Sequence, residues 1–142
     1  MELQLKHLTP YLPYKLNFLI ESESNVDELK SIDVSLKMVN FGLGNAQTLL
    51  EIKPILKPLL KLSTDELIPI GLYIRGVQKY KATYKDNIFA IEDAKAWIRT
   101  GMKPVLSLLQ TQEIMDYLYS IHADIFNLIE HNLAIEKTPN ET

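Results

Sequence analysis

Hydrophobic and polar residues alternate most regularly in the first half of the chain. In SIDVSLKMVNF, residues 31–41, apolar and polar residues alternate: the apolar set is Ile32, Val34, Leu36 and Met38, and the polar set is Asp33, Ser35 and Lys37. A period of two is typical of a half-buried β-strand. NFLIES (17–22) predicts a strand before it, GLGN (42–45) predicts a turn after it, and AQTLLEI (46–52) is a further short strand or leads into the next segment. The pattern therefore predicts a small antiparallel sheet in the N-terminal part.

Two prolines shape the opening segment KHLTPYLPYKL, residues 6–16. Proline fixes its own φ and disfavours helical geometry in the residue before it, so we expect Thr9 and Leu12 to be extended. Pro10 to Tyr14 should form a tight turn or one helical turn, which makes a stiff apolar and aromatic lid. PYLP also matches the PxxP pattern of proline-rich recognition motifs, so a solvent-facing recognition segment is the alternative.

A second proline pair lies in KPILKPLLKL, residues 53–62. Proline suits the first turn of a helix and kinks its interior, so this stretch predicts a short, irregular helical segment. Its lysines recur every four residues, which would place Lys53, Lys57 and Lys61 on one helical face. A solvated face is the ordinary interpretation of such a row, and a phosphate-binding ridge is the alternative.

The remainder of the chain predicts helices. In STDELIPIGLYIRG (63–76), Ser63 or Thr64 can cap a turn, but Pro69 and Gly71 argue against a long helix. FAIEDAKAWIRTG (89–101) has an apolar stripe at helical spacing and a glycine stop. KPVLSLLQTQEIMDYLYSIHADIFNLIEHNLAI (103–135) predicts two further apolar stripes, a left-handed cap at Asn132 and a short final strand.

These elements predict an α+β fold, with a small N-terminal antiparallel sheet and a helical C-terminal part. The chain has 142 residues and a hydrophobic content of 46%, which is enough for one compact core. We therefore expect a single domain over residues 1–135. The polar residues 136–142 should form a C-terminal tail.

Composition excludes several kinds of chemistry. The chain has no cysteine, so disulfides, thiolate metal sites and cysteine nucleophiles are absent. It contains no motif of the serine hydrolases, nucleotide phosphate loops, zinc proteases or EF-hands. His122 and Asp124 suggest a metal site, but His122 and His131 are nine residues apart, which is wrong for ligands on one helix. We expect a protein that is not an enzyme and that binds neither cofactor nor metal.

The sequence shows neither a membrane-spanning stretch nor a secretory signal, and both bear on where the protein is located. Charged residues interrupt every hydrophobic stretch before it reaches the ~20 apolar residues of a membrane span. The start MELQLKHLTPYLPY has an early glutamate and no small-residue cleavage site, which makes a poor secretory signal. The sequence therefore predicts a cytoplasmic protein without a membrane partner.

Charge is distributed unevenly along a chain whose net charge is −3. Residues 1–85 contain 11 basic and 9 acidic side chains, whereas residues 86–142 contain 4 and 9. The segment YIRGVQKYKATYK (73–85) interleaves cations with tyrosines and contains no acid, a pairing that suits single-stranded nucleic acid. An ordinary exposed strand is the alternative. The residues that would bind nucleic acid are Arg75, Lys79, Tyr80, Lys81, Tyr84 and Lys85.

Three stretches carry a resemblance to a known group. LKHLTPYLPYKL, EIKPILKPLL and YLYSIHADIFNLIEHNLAI resemble, in the same order, stretches of a group of small proteins from Bacteroidota genomes and their phages and prophages. That group would have glycine at the positions of Lys15 and Asn132. The resemblance implies an accessory protein of a mobile element in a bacterial host and supplies no catalytic residues.

Small phage proteins without catalytic motifs often bind and block a host protein. By this analogy we expect a stoichiometric binder of a host protein, such as an anti-defence inhibitor of a nucleic-acid-processing complex. Its exposed aromatic anchors would be Tyr11, Tyr14, Tyr117 and Tyr119. The alternative is an accessory protein that binds single-stranded RNA or DNA through residues 73–85. A structural protein of the phage particle is a third possibility, and the sequence does not define the oligomeric state.

Overall fold

The computed structural model describes residues 2–21, 23–33, 38–42, 45–102 and 106–137. Within these ranges the α+β class is confirmed. The helices are α1 (Leu5–Leu8), α2 (Thr64–Arg75), α3 (Tyr84–Arg99) and α4 (Leu108–Ser120). The strands are β1 (Asn17–Ile20), β2 (Asn25–Glu28), β3 (Ser31–Asp33), β4 (Met38–Asn40), β5 (Ala46–Thr48), β6 (Ile52–Leu56) and β7 (Ile135–Glu136). The longer helices therefore occupy the middle of the chain, and the chain returns to strand after them.

The chain divides into two compact units. The sheet unit comprises residues 1–58 and 119–142, and the helical unit comprises residues 59–118. Helix α4 contributes its last two residues to the sheet unit. The single domain predicted over residues 1–135 stays a prediction.

Two sheets organise the sheet unit. One has the order β2-β1-β6-β7, in which β1 pairs antiparallel with β2 and β6, and β6 pairs parallel with β7. The other has the order β3-β4-β5 and is antiparallel throughout. Glu136, assigned to the tail from the sequence, is the last residue of β7, and residues 138–142 lie outside the described ranges.

The core of the sheet unit forms around the opening segment. Thr9–Tyr14 is a 3-10 helix, so the helical form of this segment is confirmed, whereas the extended conformation expected for Thr9 and Leu12 is wrong. Tyr11 is fully buried, and its hydroxyl donates to the backbone oxygen of Ala123 over 2.5 Å. It packs edge-to-face against Tyr119 with ring centroids 5.0 Å apart. PYLP is thus a packed lid and not a solvent-facing recognition segment.

The prediction for KPILKPLLKL is wrong. Ile52–Leu56 is strand β6, and only Leu59–Lys61 forms a 3-10 turn, so the three lysines share no helical face. Pro54 is tolerated because it pairs with Phe18 of β1 at a point that β7 does not reach. A proline fits a strand where one side needs no donor.

The continuous strand predicted over residues 31–41 is also wrong. Its ends form two strands, β3 and β4, which pair with each other through Ile32 and Val39. Residues 34–37 between them lie outside the described ranges. The period of two is the same for one long strand and for two paired short ones, so the pattern could not separate them.

In the helical unit, α2 contradicts the prediction that no long helix forms. The helix runs for 12 residues through Pro69. Of the two predicted caps, Ser63 or Thr64, it is Ser63 that caps the helix, and a capping box joins Ser63 to Glu66. Burial of Leu67, Ile70 and Leu72 offsets the ~3 kcal/mol that an interior proline costs.

Residues 121–134 form turns, so the apolar stripe predicted as a helix at Ile125, Leu128 and Ile129 is wrong. The buried carboxylate of Asp124 accepts bonds from the backbone N–H groups of Leu128 (2.8 Å) and Ile129 (2.9 Å) and holds the turns instead.

Lys15 and Asn132 both have a left-handed backbone, with φ of 56° and 58°. Glycine adopts this conformation without steric cost, whereas a residue with a Cβ is strained in it.

Candidate functional site

A groove on the helical unit is the candidate binding site among the described residues. It lies between the C-terminal half of α2, the connection after that helix, and the first turns of α4, and its volume is about 530 Å³. That volume falls within the range of about 300–1,000 Å³ that is common for ligand sites. The lining residues are Pro69, Leu72, Tyr73, Gly76, Val77, Gln78, Lys79, Tyr80, Leu109, Gln110 and Glu113.

The first wall of the groove is set by the end of α2. Gly76 caps the helix with φ of 69°, and its N–H donates to the carbonyls of Leu72 and Tyr73. Val77 then donates its N–H to the Leu72 oxygen over 3.0 Å. A left-handed glycine with such paired bonds is the usual way a helix ends. The reversed chain presents Val77 and Tyr80 to the groove.

Gln110 ties the second wall to the first. Its side-chain N–H₂ group donates to the backbone oxygens of Tyr73 (2.9 Å) and Ile74 (3.2 Å) at the end of α2. Its side-chain oxygen accepts from the Ser107 hydroxyl over 2.8 Å, and the Ser107 oxygen accepts from the Gln110 N–H over 3.2 Å. All these polar groups are satisfied within the helical unit, so Gln110 fixes the shape of the groove.

Tyr117 makes a second tie between the same helices. Its hydroxyl donates to the backbone oxygen of Glu66 over 3.0 Å. Burial, and then the nearby carboxylate of Glu66, raise the pKa of Tyr117 to about 12. The hydroxyl therefore stays protonated and keeps donating at every pH at which the protein is handled. This tyrosine, predicted as an exposed anchor, is half-buried and structural.

Large apolar side chains are exposed around the groove. Leu109 is 67% exposed and Tyr80 is 79% exposed, although both line it. Most of the exposed large hydrophobic residues belong to the helical unit: Leu60, Tyr80, Tyr84, Ile88, Phe89, Leu108 and Leu109. Single exposed apolar residues are ordinary, but two that line one groove are typical of an interaction surface.

The other tyrosines predicted as anchors do not form a surface. Tyr11 is fully buried and cannot touch a partner, because it fills the core of the sheet unit. Tyr14 and Tyr119 are half-buried in the same unit, and the backbone oxygen of Tyr14 accepts a bond from His122 Nε2 over 2.6 Å. Residue type alone suggested these tyrosines as anchors, whereas their burial depends on contacts distant in sequence.

The residues predicted to bind nucleic acid are brought together, with one exception. Lys79, Tyr80 and Lys81 form a 3-10 turn after α2, and Tyr84 and Lys85 begin α3, all of them exposed. Tyr84 is 80% exposed. Arg75 is the exception, because its guanidinium pairs with Asp93 over 2.9 Å and lies 5.1 Å from the centre of the Phe89 ring. It holds α2 against α3. The segment is a helix connection and not an edge strand.

The histidine and carboxylate side chains are used for structure. His122 contacts the opening segment, Asp124 caps a turn, and His7 Nδ1 accepts from the Gln4 N–H over 3.0 Å. Within the described ranges, no three His, Asp or Glu side chains are placed to hold a metal ion.

The groove residues that the sequence did not predict are Leu72, Val77, Leu109 and Gln110. Two of its walls come from segments about thirty residues apart, which no local pattern links. One feature of the sequence at α4 could have indicated the groove. Leu108 and Leu109 precede the buried Ile114 by six and five residues, spacings that do not share a helical face. Apolar residues off the buried stripe indicate a second contact surface.

Among the described helices, none combines the length and the apolar character needed to cross a bilayer. No protein-family model, no curated protein and no solved structure matches this chain.

Proposed function

We propose that this protein acts without catalysis, by binding another protein in the groove of the helical unit. The observation that carries the proposal is the groove itself, with Leu109 and Tyr80 exposed beside its aliphatic floor. Burying a leucine side chain contributes about 1.5–3 kcal/mol, and buried aromatic anchors dominate many interfaces. Because Gln110 and Tyr117 tie α4 to α2, the groove walls need little ordering when a partner binds.

The resemblance to proteins of Bacteroidota phages and prophages supports a bacterial host protein as the partner, in the cytoplasm. Within that context we propose an anti-defence role, in which the protein inhibits a nucleic-acid-processing complex by occupying a surface that the complex needs. A stoichiometric inhibitor requires a docking surface and no catalytic group. The groove supplies such a surface.

The test is capture from a Bacteroidota host lysate with the tagged protein, with and without nuclease. Leu109→Ser removes an exposed groove residue, and Leu108→Ser changes the adjacent leucine, which is 85% exposed and does not line the groove. We expect one host protein to be enriched by the wild type and by Leu108→Ser, and to be lost with Leu109→Ser. Equal capture by both variants would contradict the proposal.

A second candidate is binding of single-stranded nucleic acid by the α2–α3 connection. The exposure of Tyr80 and Tyr84 beside Lys79, Lys81 and Lys85 favours it. Bases stack on aromatic faces and cations contact phosphates, so affinity should fall steeply as salt rises. The triple variant Lys79→Ala, Tyr80→Ala, Lys81→Ala should abolish binding of a 20-nucleotide oligo(U), whereas Leu109→Ser should leave it unchanged. Capture that nuclease removes would favour this candidate over the first.

A further inference from the structure

The rim of the groove is cationic on one side. Lys79 lines the groove, and Lys81 lies two residues further along the same 3-10 turn. No acid occurs between Gly76 and Lys85. The Lys81 ammonium lies 5.6 Å from the centre of the Tyr80 ring, so the aromatic anchor and a cation are adjacent. Within the part of the chain that the structure describes, no ion pair or hydrogen bond engages the Lys79 ammonium.

Nearby carboxylates of the helical unit are engaged elsewhere. Asp93 pairs with Arg75, and Asp86 accepts bonds from the N–H and hydroxyl of Thr83 at the start of α3. These bonds hold the pKa of Asp86 below its usual value, so its charge serves the helix cap. The rim lysines are therefore not neutralised by these acids.

The α4 wall of the groove carries the reverse charge. Glu113 of α4 is the one acid among the lining residues, and in the described ranges its carboxylate has no ion-pair partner. Between these charges lie the aliphatic side chains of Pro69, Leu72, Val77 and Leu109. The groove thus combines an apolar lining with a cation on the α2–α3 connection and an acid on α4.

We propose that the groove binds an amphipathic segment of the partner protein, with large apolar side chains and with Asp or Glu residues that face Lys79 and Lys81. This inference rests on the proposed function and names its ligand. The apolar side chains pack on the floor, and the carboxylates meet the cationic rim, while Glu113 disfavours acids on the other side. A nucleic acid strand matches the lysines but leaves the aliphatic floor uncovered, so the observations favour a peptide.

Defined probes test this directly by fluorescence polarisation. Two labelled synthetic helices of 18 residues share one Leu/Phe face, and their polar faces carry either glutamates or lysines. A labelled dT20 strand is the third probe. We expect the acidic helix to bind at least about tenfold more tightly than the basic helix at low salt, and the preference to shrink as salt screens the rim.

Matched variants locate the binding on the groove. Leu109→Ser should weaken the acidic helix about tenfold or more, and Leu108→Ser should leave its affinity unchanged. The pair Lys79→Glu, Lys81→Glu should reverse the preference, so that the basic helix binds more tightly. Lys6→Glu changes an exposed lysine of the sheet unit and should leave the preference for the acidic helix unchanged. Circular dichroism checks that each variant is folded.

The remaining outcomes overturn the inference in distinguishable ways. If both helices bind equally and Leu109→Ser weakens both, the groove docks apolar segments without charge selection, and the proposed function survives. If dT20 binds more tightly than either helix and depends on the lysines alone, nucleic acid is the ligand. If neither helix binds, the ligand class is wrong, and the lysate capture with Leu109→Ser decides the proposed function separately.

Discussion

Replacing Gly71 with alanine tests how α2 and α3 pack. A Cβ added at Gly71 would lie 1.9 Å from the backbone oxygen of Ala90 and 2.3 Å from its carbonyl carbon. Ordinary van der Waals contact begins near 3.4 Å, so the helices would have to separate by roughly 1.5 Å. The clashing atoms are backbone, and no change of rotamer relieves them.

Two effects of opposite sign compete at this position. Alanine is a better helix former than glycine by about 1 kcal/mol, which favours the variant. Overpacking a well-filled contact costs about 1–3 kcal/mol, and a clash with backbone belongs at the upper end. We therefore expect Gly71→Ala to lower the free energy of unfolding by about 2 kcal/mol, or the Tm by about 8 °C at roughly 4 °C per kcal/mol.

Fluorescence of Trp97 is the appropriate assay. It is the one tryptophan of the sequence, and it lies buried on α3, so its emission reports on the helical unit. The control is Ala96→Gly on the exposed side of the same helix, which should cost about 1 kcal/mol through helix propensity alone. A Gly71→Ala protein as stable as the wild type, or more stable, would show that the close approach of the helices does not hold.

Three further perturbations probe the sheet unit. Lys15→Gly relieves a left-handed residue with φ of 56° and should raise the free energy of unfolding by about 0.5–1 kcal/mol in urea titrations, whereas Lys6→Gly in α1 should lower it. Asp124→Asn removes a buried, charged acceptor of two backbone N–H groups and should cost about 1.5–3 kcal/mol; an unchanged Tm by circular dichroism would refute this. Burial lowers the pKa of both His7 and His122 from 6.5, so the folded state binds fewer protons than the unfolded state. Their contribution to stability is therefore full above pH 6.5 and is lost as the pH falls below it. The urea midpoint of the wild type should be lower at pH 5.5 than at pH 7.5, and the difference should be smaller in the double variant His7→Gln, His122→Gln. The same difference in both proteins would contradict the assignment.

Local rules predicted part of the fold correctly. The α+β class, strand β1 and the capping of α2 by Ser63 follow from the residues concerned. Each depends on interactions within a few positions of the chain, such as a side-chain oxygen that accepts from a backbone N–H three residues later. The stop of α3 at Gly101, whose φ is 73°, belongs to the same kind.

The errors have one physical origin. KPILKPLL resembles an interrupted helix until strands β1 and β7 are available to pair with it. Pro69 and Gly71 indicate a helix break until their neighbours are buried, and Gly71 then becomes the contact that brings α3 close. In these segments tertiary packing outweighs intrinsic propensity, which amounts to about 1 kcal/mol for most residues.

At the candidate site, too, the sequence determined some features and the tertiary structure decided others. The sequence alone determined the cationic and aromatic character of residues 79–85, because lysines and tyrosines without an acid follow one another within one short stretch. Only the tertiary structure decided that Tyr11 is core, that Arg75 is bound to Asp93, and that Leu72 and Leu109 face one groove. Burial and groove shape arise from contacts between segments distant in sequence, and a local pattern of residue types carries no record of them.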